Sequence, residues 1–300
     1  MSHLIFKLLE NGTLKRGDVP SHFPTSIQYL TITGSKAYGV SKDSSDLDIY
    51  GFCIPKKEDL FPHLRGEIPG FGIQKGNFEQ WQMHHIKTEE TEYDFSVYSI
   101  IKYFQLCMEN NPNMVDTLFT PLDCVVHCTE IGRIVRDNRK LFLSKLSYHK
   151  FRGYAFSQLH KMSIKTDPKS ESRKKDVEDF GIDLKFAYHL VRLVLESEQI
   201  LKYGDLDLRK DSKLLSDIRG GLLSKSDITN IFESKQKELE ILYKESNVIP
   251  HKPKEDQIKS LLLDCLEQYY GSISSLVKLG NIEEKLISNI ENLIHSYRNQ

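Results

Sequence analysis

No stretch of this sequence is apolar for the length that a bilayer crossing requires, so a membrane-spanning helix is not expected. Neither sign of charge is in excess. The 41 Lys and Arg stand against 42 Asp and Glu, for a net charge of -1. With no overall basic field to draw the chain onto a polyanion, any nucleic-acid contact has to be a local patch. Cysteine is scarce and odd in number: Cys53, Cys107, Cys124, Cys128 and Cys265 form no paired framework, which suits reduced thiols. Cys124, His127 and Cys128 resemble half of a zinc site, but no second Cys/His cluster completes four ligands. Internal repeats and low-complexity tracts are missing. The opening Met1-Ser2-His3-Leu4-Ile5-Phe6-Lys7 lacks the basic segment, longer apolar core and cleavage site of a secretory signal, so a cytoplasmic protein is expected. What remains is a globular profile, 39% hydrophobic and 28% charged, over 300 residues, enough for two cores.

The texture changes along the chain. The first ~125 residues mix short β-prone runs with a few helices. The runs are Ile27–Thr33, Leu47–Ile54, Met83–Ile86, Glu92–Tyr98 and Leu122–Val126. Ser99–Asn110 carries Ile100, Ile101, Phe104 and Met108 at helical spacing, and Asn110-Asn111-Pro112-Asn113 breaks it. Beyond residue 130, Tyr148–Ile164, Val177–Tyr203, Lys225–Asn247, Asp256–Tyr270 and Ile282–Arg298 read as amphipathic helices. Lys165–Glu178, dense in charge, reads as an exposed loop. Strands first and helices afterwards predict an α+β fold, with a catalytic domain over 1–128 and an α-helical domain over 129–300.

The most informative segment is Gly34-Ser35-Lys36-Ala37-Tyr38-Gly39, followed by Ser45-Asp46-Leu47-Asp48-Ile49-Tyr50-Gly51. Side chains at i and i+2 on a strand share one face, so Asp46 and Asp48 point into one small volume. Two carboxylates that close repel each other unless a cation lies between them, and an all-oxygen acidic set suits Mg²⁺. Gly34 and Ser35, at a strand end before a helix start, offer amides and a hydroxyl to an anion. A phosphate grip and a metal grip about a dozen residues apart make a nucleotide site.

The run Gly-Ser-x-Ala-Tyr-Gly, five residues, then Ser-Asp-x-Asp-x-x-Gly resembles the signature of the DNA polymerase β-type nucleotidyltransferase superfamily. It is most similar to the members linked to RNA repair. The resemblance covers roughly residues 28–120 strongly and 150–270 weakly, with Lys36 and Tyr50 standing where arginine is frequent. It implies a small mixed sheet followed by an α-helical domain that completes the nucleotide cleft. It also implies transfer of a nucleoside monophosphate from an NTP, ATP being the expected one, to an acceptor, with release of pyrophosphate. Mg²⁺ or Mn²⁺ would be held by Asp46, Asp48 and a third acid, and the triphosphate by Gly34 and Ser35. The acceptor it allows is an RNA end (tRNA included), a protein side chain or a small molecule.

Two-metal phosphoryl transfer calls for that third acid on a neighbouring strand. In Glu92-Tyr93-Asp94-Phe95-Ser96-Val97-Tyr98 the residues alternate, placing Asp94 in mid-strand on the polar face, with Glu92 as the alternative. Further on, Lys185, His189 and Arg192 lie at i, i+4 and i+7, one stripe of a helix. The spacing resembles the family's second-domain pattern, which implies that all three face the nucleotide. Gly153, inside a helical period, costs stability and suggests the close approach of another element or a ligand. Two other classes stay open: a non-catalytic nucleotide-binding regulatory module, and a metal-dependent sugar-nucleotide glycosyltransferase built on Asp-x-Asp. A doubly wound parallel sheet would favour the second.

Overall fold

A computed structural model describes residues 4–41, 46–73, 75–89, 91–164 and 171–271. The expected helix Ile282–Arg298 and the first part of the expected loop, 165–170, lie outside the described residues.

Five strands form one sheet in the order β3-β4-β2-β1-β5. They are β1 (Ile27–Ile32), β2 (Leu47–Cys53), β3 (Gln80–Lys87), β4 (Glu92–Ser99) and β5 (Val125–Cys128). All six residues of β1 are buried, as a strand with neighbours on both edges and elements on both faces requires. The β2–β4 pair is parallel, and β1–β2, β1–β5 and β3–β4 are antiparallel. This is a mixed sheet, not a doubly wound parallel one. Gly51 lets β2 lie against β1, since a Cβ there would stand 1.9 Å from the Tyr29 carbonyl oxygen.

The helices are α1 (Leu4–Glu10), α2 (Gly34–Ala37), α3 (Lys57–Leu60), α4 (Ile100–Met108), α5 (Pro112–Phe119) and α6 (Glu130–Asp137), then α7 (Leu146–Ile164), α8 (Glu171–Phe180), α9 (Leu184–Tyr203), α10 (Ser212–Arg219), α11 (Lys225–Glu245) and α12 (Glu255–Tyr270). Ser99 caps α4 by accepting from the Lys102 amide. The buried side chains form one core running from Ile5 through both halves to Leu266, rather than two. Helix α9 is its axis, buried almost continuously from Leu190 to Leu201. Among the described residues no helix is long and apolar enough to cross a membrane.

Asn110–Asn113 breaks the helix as expected, α4 ending at Met108, and Pro112 then stands at the first turn of α5, where its missing N–H costs nothing. Three local expectations need correction. The single helix expected over Val177–Tyr203 is two, α8 and α9. They part at Gly181 (φ 71°) and at Asp183, which accepts from the amides of Lys185 and Phe186 and so caps α9. Residues 171–178, expected in a loop, belong to α8. Lastly, Leu122–Cys124 is a 3-10 turn, so the fifth strand begins at Val125.

Candidate active site

A cleft of about 290 Å³ is lined by Gly34, Ser35, Asp46, Asp48, Asp94 and Lys185, with Tyr188, His189 and Arg219 completing it. Each element brings its residue there for a local reason. Strand β1 ends at Ile32, and Thr33 stays tied to β2, its amide donating to the Asp48 carbonyl at 2.8 Å. The chain then turns through Gly34 (φ 66°) into α2, which sets Ser35 just beyond the end of β1. On β2 and β4 the parallel register pairs Asp48 directly with Asp94, so the two carboxylates leave the sheet side by side. The alternation read from β4 put Asp94 on the polar face, and in the structure Asp94 lines the cleft.

Glu92 goes elsewhere. Its Oε1 meets His85 Nδ1 at 2.5 Å, outside the cleft. The His85 amide donates to Asp94 Oδ1 at 2.7 Å, and His84 Nδ1 lies 3.5 Å from Asp94 Oδ2. His85, with φ 60°, forms an irregularity in β3 that aims both histidines at the acids of β4. One ligand atom from each of His85, Glu92 and Asp94 lies within 4.8 Å of the others, so Asp94 borders both this trio and the cleft. None of this was visible from sequence, because the register of β3 against β4 depends on a bulge.

The electrostatics favour a cation in the cleft. Burial is the main force raising the Asp48 carboxyl above the usual carboxylate range; Lys185 opposes it, and Asp94 and Asp46 add to it. A divalent ion among three such carboxylates would relieve both the burial cost and the mutual repulsion, and oxygen donors of this kind fit Mg²⁺ or Mn²⁺. Opposite them, burial is the main cause holding His189 well below the usual imidazole range, with Arg192, Lys185, Arg219 and Arg173 adding to it. His189 is thus neutral near pH 7, able to donate and accept hydrogen bonds but not to supply charge.

The expected cationic stripe divides. Lys185 is exposed and lines the cleft, and so does the half-buried His189. Arg192 does not line it. Its side chain is 4% exposed, and Nη1 donates to Tyr38, Asp116 and both oxygens of Glu196. These carboxylates already hold the guanidinium, which corrects its expected place at the triphosphate. The second cation of the cleft is Arg219, at the end of α10, missed in the sequence because no local pattern marks it. Its Nη1 donates to the Val40 carbonyl at 2.9 Å and its guanidinium lies 5.1 Å from the Tyr188 ring.

Gly34 links the two halves of the motif. A Cβ at this position would stand 2.6 Å from Asp48 Oδ2. Gly34→Ala is expected to destabilise the protein by about 1–2 kcal/mol from the left-handed backbone alone. It should also displace the Asp48 carboxylate, with any transfer activity falling by about 10²-fold. Thermal melting and the activity assay below check the two effects separately.

The mixed sheet, with Gly-Ser at the end of β1, aspartates on β2 and β4 and helices following, is the α+β architecture of a polymerase β-type nucleotidyltransferase. More particularly, the chain belongs to the RlaP family, described as the RNA repair pathway DNA polymerase beta family, whose sequence pattern matches residues 11–251. An Enterobacteria phage T4 protein, described as an uncharacterized 38.9 kDa protein in the nrdC-mobD intergenic region, is 26% identical over 134 residues. That match covers 44% of this chain and 37% of the phage protein, so the chain spans well under half of that relative's length. A nucleotidyltransferase-like protein from Exiguobacterium sibiricum 255-15 aligns over 97% of this chain and 90% of its own, with a TM-score of 0.28 and 10% identity.

Proposed function

We propose that this protein is a metal-dependent nucleotidyltransferase that moves a nucleoside monophosphate from an NTP, ATP first among candidates, onto an acceptor, an RNA end being favoured. The observation that carries the reading is the contact between the Gly34-Ser35 turn and the Asp48 carboxylate, with Asp94 in register beside it. On this reading residues 1–128 form the catalytic unit, and residues 129–300 complete the cleft through Lys185, His189 and Arg219. Ser35 and the amides around it bind the β- and γ-phosphates. Lys185 and Arg219 face them from the opposite wall, neutralising charge that grows on the leaving pyrophosphate. Asp46, Asp48 and Asp94 would hold Mg²⁺ or Mn²⁺, which when bound supplies a Lewis acid at the transferring phosphoryl group. Asp94 takes up the acceptor hydroxyl proton as that oxygen bonds to the α-phosphorus and the bond to the β-phosphate oxygen breaks.

The family's description, with RNA repair in it, supports RNA as acceptor. The mixed sheet weighs against a sugar-nucleotide glycosyltransferase. All three acids are present, which weighs against a non-catalytic module. The test is incubation with each α-³²P-labelled NTP, Mg²⁺ or Mn²⁺, and separate pools of tRNA, total RNA and protein. Label is expected in an RNA band, with pyrophosphate released. Tight NTP binding without transfer to any pool would instead indicate the regulatory module.

A further inference from the structure

Beside the catalytic cleft lies a larger one, about 800 Å³, between α7 and α9, and the two share Lys185 and His189 as a common wall. Its lining is basic: His149, Lys150 and Lys161 from α7, Arg173 from α8, and Lys185 from α9. No aspartate or glutamate is among its described lining residues. Some of this charge is already partnered, since Lys150 lies 3.6 Å from Glu109 and Arg173 is paired with Asp183. Lys161 and Lys185 form no ion pair with a carboxylate among the described residues. Two aromatic side chains, Tyr154 and Phe186, complete the surface. Arg173 lies 4.4 Å and Lys161 5.9 Å from the centre of the Phe186 ring.

Gly153 adds an independent observation. It interrupts α7 at a position where helix propensity favours almost any other residue. No atom of the described residues explains it: among them, a Cβ there would meet nothing within 4 Å. The glycine lines the basic cleft, so the missing side chain widens the cleft and makes no room for packing. Cations alternating with aromatic faces are what a single nucleic-acid strand requires, the cations for phosphates and the rings for unstacked bases. An acidic peptide would use the cations but leave the rings without a role.

We propose that this cleft seats the single-stranded end of an RNA acceptor, with its phosphates against Lys161 and Lys185 and its bases against Tyr154 and Phe186. The terminal hydroxyl is thereby led past His189 to the catalytic cleft. That last direction rests on the nucleotidyl-transfer reading above; the binding of RNA does not.

The test measures binding of a fluorescein-labelled single-stranded RNA 12-mer by anisotropy, without NTP, over a range of salt, using the full chain. Lys161→Glu is expected to weaken RNA binding by about tenfold, and Lys161→Ala to reduce the slope of log K against log salt by about 0.7, the loss of one phosphate contact. Gly153→Leu is expected to melt no lower than the parent, because leucine favours the helix, yet to lose RNA affinity severalfold. ATP affinity should stay unchanged in all three. Unchanged RNA affinity in Lys161→Glu and Gly153→Leu would overturn the proposal. So would a parallel loss of ATP and RNA affinity, which would make the cleft part of the nucleotide seat. An acidic peptide bound as tightly as RNA, with the same dependence on Lys161, would overturn it as well. RNA binding that depends on this cleft, in a protein that transfers no nucleotide, would sink the catalytic reading and leave this one standing. Transfer onto protein with no RNA binding would do the reverse.

Discussion

Asp48→Asn is expected to abolish nucleotidyl transfer while leaving the fold intact. The substitution keeps the shape that fits against Gly34, whose absent Cβ would stand 2.6 Å from Asp48 Oδ2, and it leaves the backbone bond from the Thr33 amide untouched. What it removes is charge. Burial, with Asp94 and Asp46 adding to it, raises the Asp48 carboxyl above the usual carboxylate range, and Lys185 is the main offset. A neutral amide there relieves that cost, so the melting temperature should hold or rise. Without the charge, the acids lose the ligand that β2 and β4 place at their centre. Transfer at saturating Mg²⁺ should then fall on the order of 10³-fold. A variant that kept most of the parent rate at saturating Mg²⁺ and NTP would rule out metal-assisted transfer through these acids. Asp46, more exposed and outside the strand, should be less sensitive to the same change.

The parts of this cleft that local pattern could specify were the parts the sequence made readable. Alternation in Glu92–Tyr98 sorts residues onto two faces, and one face of β4 has to meet the cleft; hence Asp94. The Gly-Ser turn and the Asp-x-Asp strand lie within one contiguous segment, so their meeting needs only a β-hairpin-like return. Arg192 was misplaced for a different reason. Spacing of i, i+4 and i+7 says that three residues share a helical stripe. It does not say how far the neighbouring elements extend along that stripe. On α9 the covering begins within it: Lys185 is exposed, His189 half-buried, and Arg192 buried beneath Tyr38 and α5. Arg219 and the His84-His85 bulge reach the site only through long-range packing, which no short window contains. The α8–α9 break was readable in principle, since Gly181 followed two residues later by Asp183 is a stop-and-cap signal. The amphipathic period of the flanking segments masked it.

Arg192→Ala is expected to act on stability, not directly on nucleotide contact. Asp116 is 1% exposed and Glu196 3% exposed, and the Arg192 guanidinium is the cation between them. It also binds the hydroxyl of Tyr38, which donates to Asp116 Oδ2 at 2.6 Å. Through Tyr38 the cluster fastens the Gly34–Gly39 turn to α5 and α9. Removing the guanidinium leaves two carboxylates buried without a counter-charge, a loss of about 3–5 kcal/mol. In a chain of this size that corresponds to a melting temperature lower by about 10 °C. Arg192→Lys should recover only part of it, because the lysine ammonium ends one bond short of Nη1, the atom that meets Tyr38, Asp116 and Glu196 together. Adding Asp116→Asn and Glu196→Gln to Arg192→Met should restore most of it, by removing the charges left unpaired. The pH dependence has a defined sign. Burial raises both carboxyls above their ordinary range even in the parent, and loss of Arg192 raises them further. A folded state with raised carboxyl pKa values binds protons that the unfolded chain releases, so stability falls as pH rises through them. The deficit of Arg192→Ala should therefore be smaller at about pH 5 than at about pH 8. A variant that melted with the parent at both pH values but bound NTP weakly would put the guanidinium back at the triphosphate. Coupled losses of stability and activity, both rescued by the neutral triple substitution, would show that Arg192 acts by holding the Gly34–Gly39 turn in place.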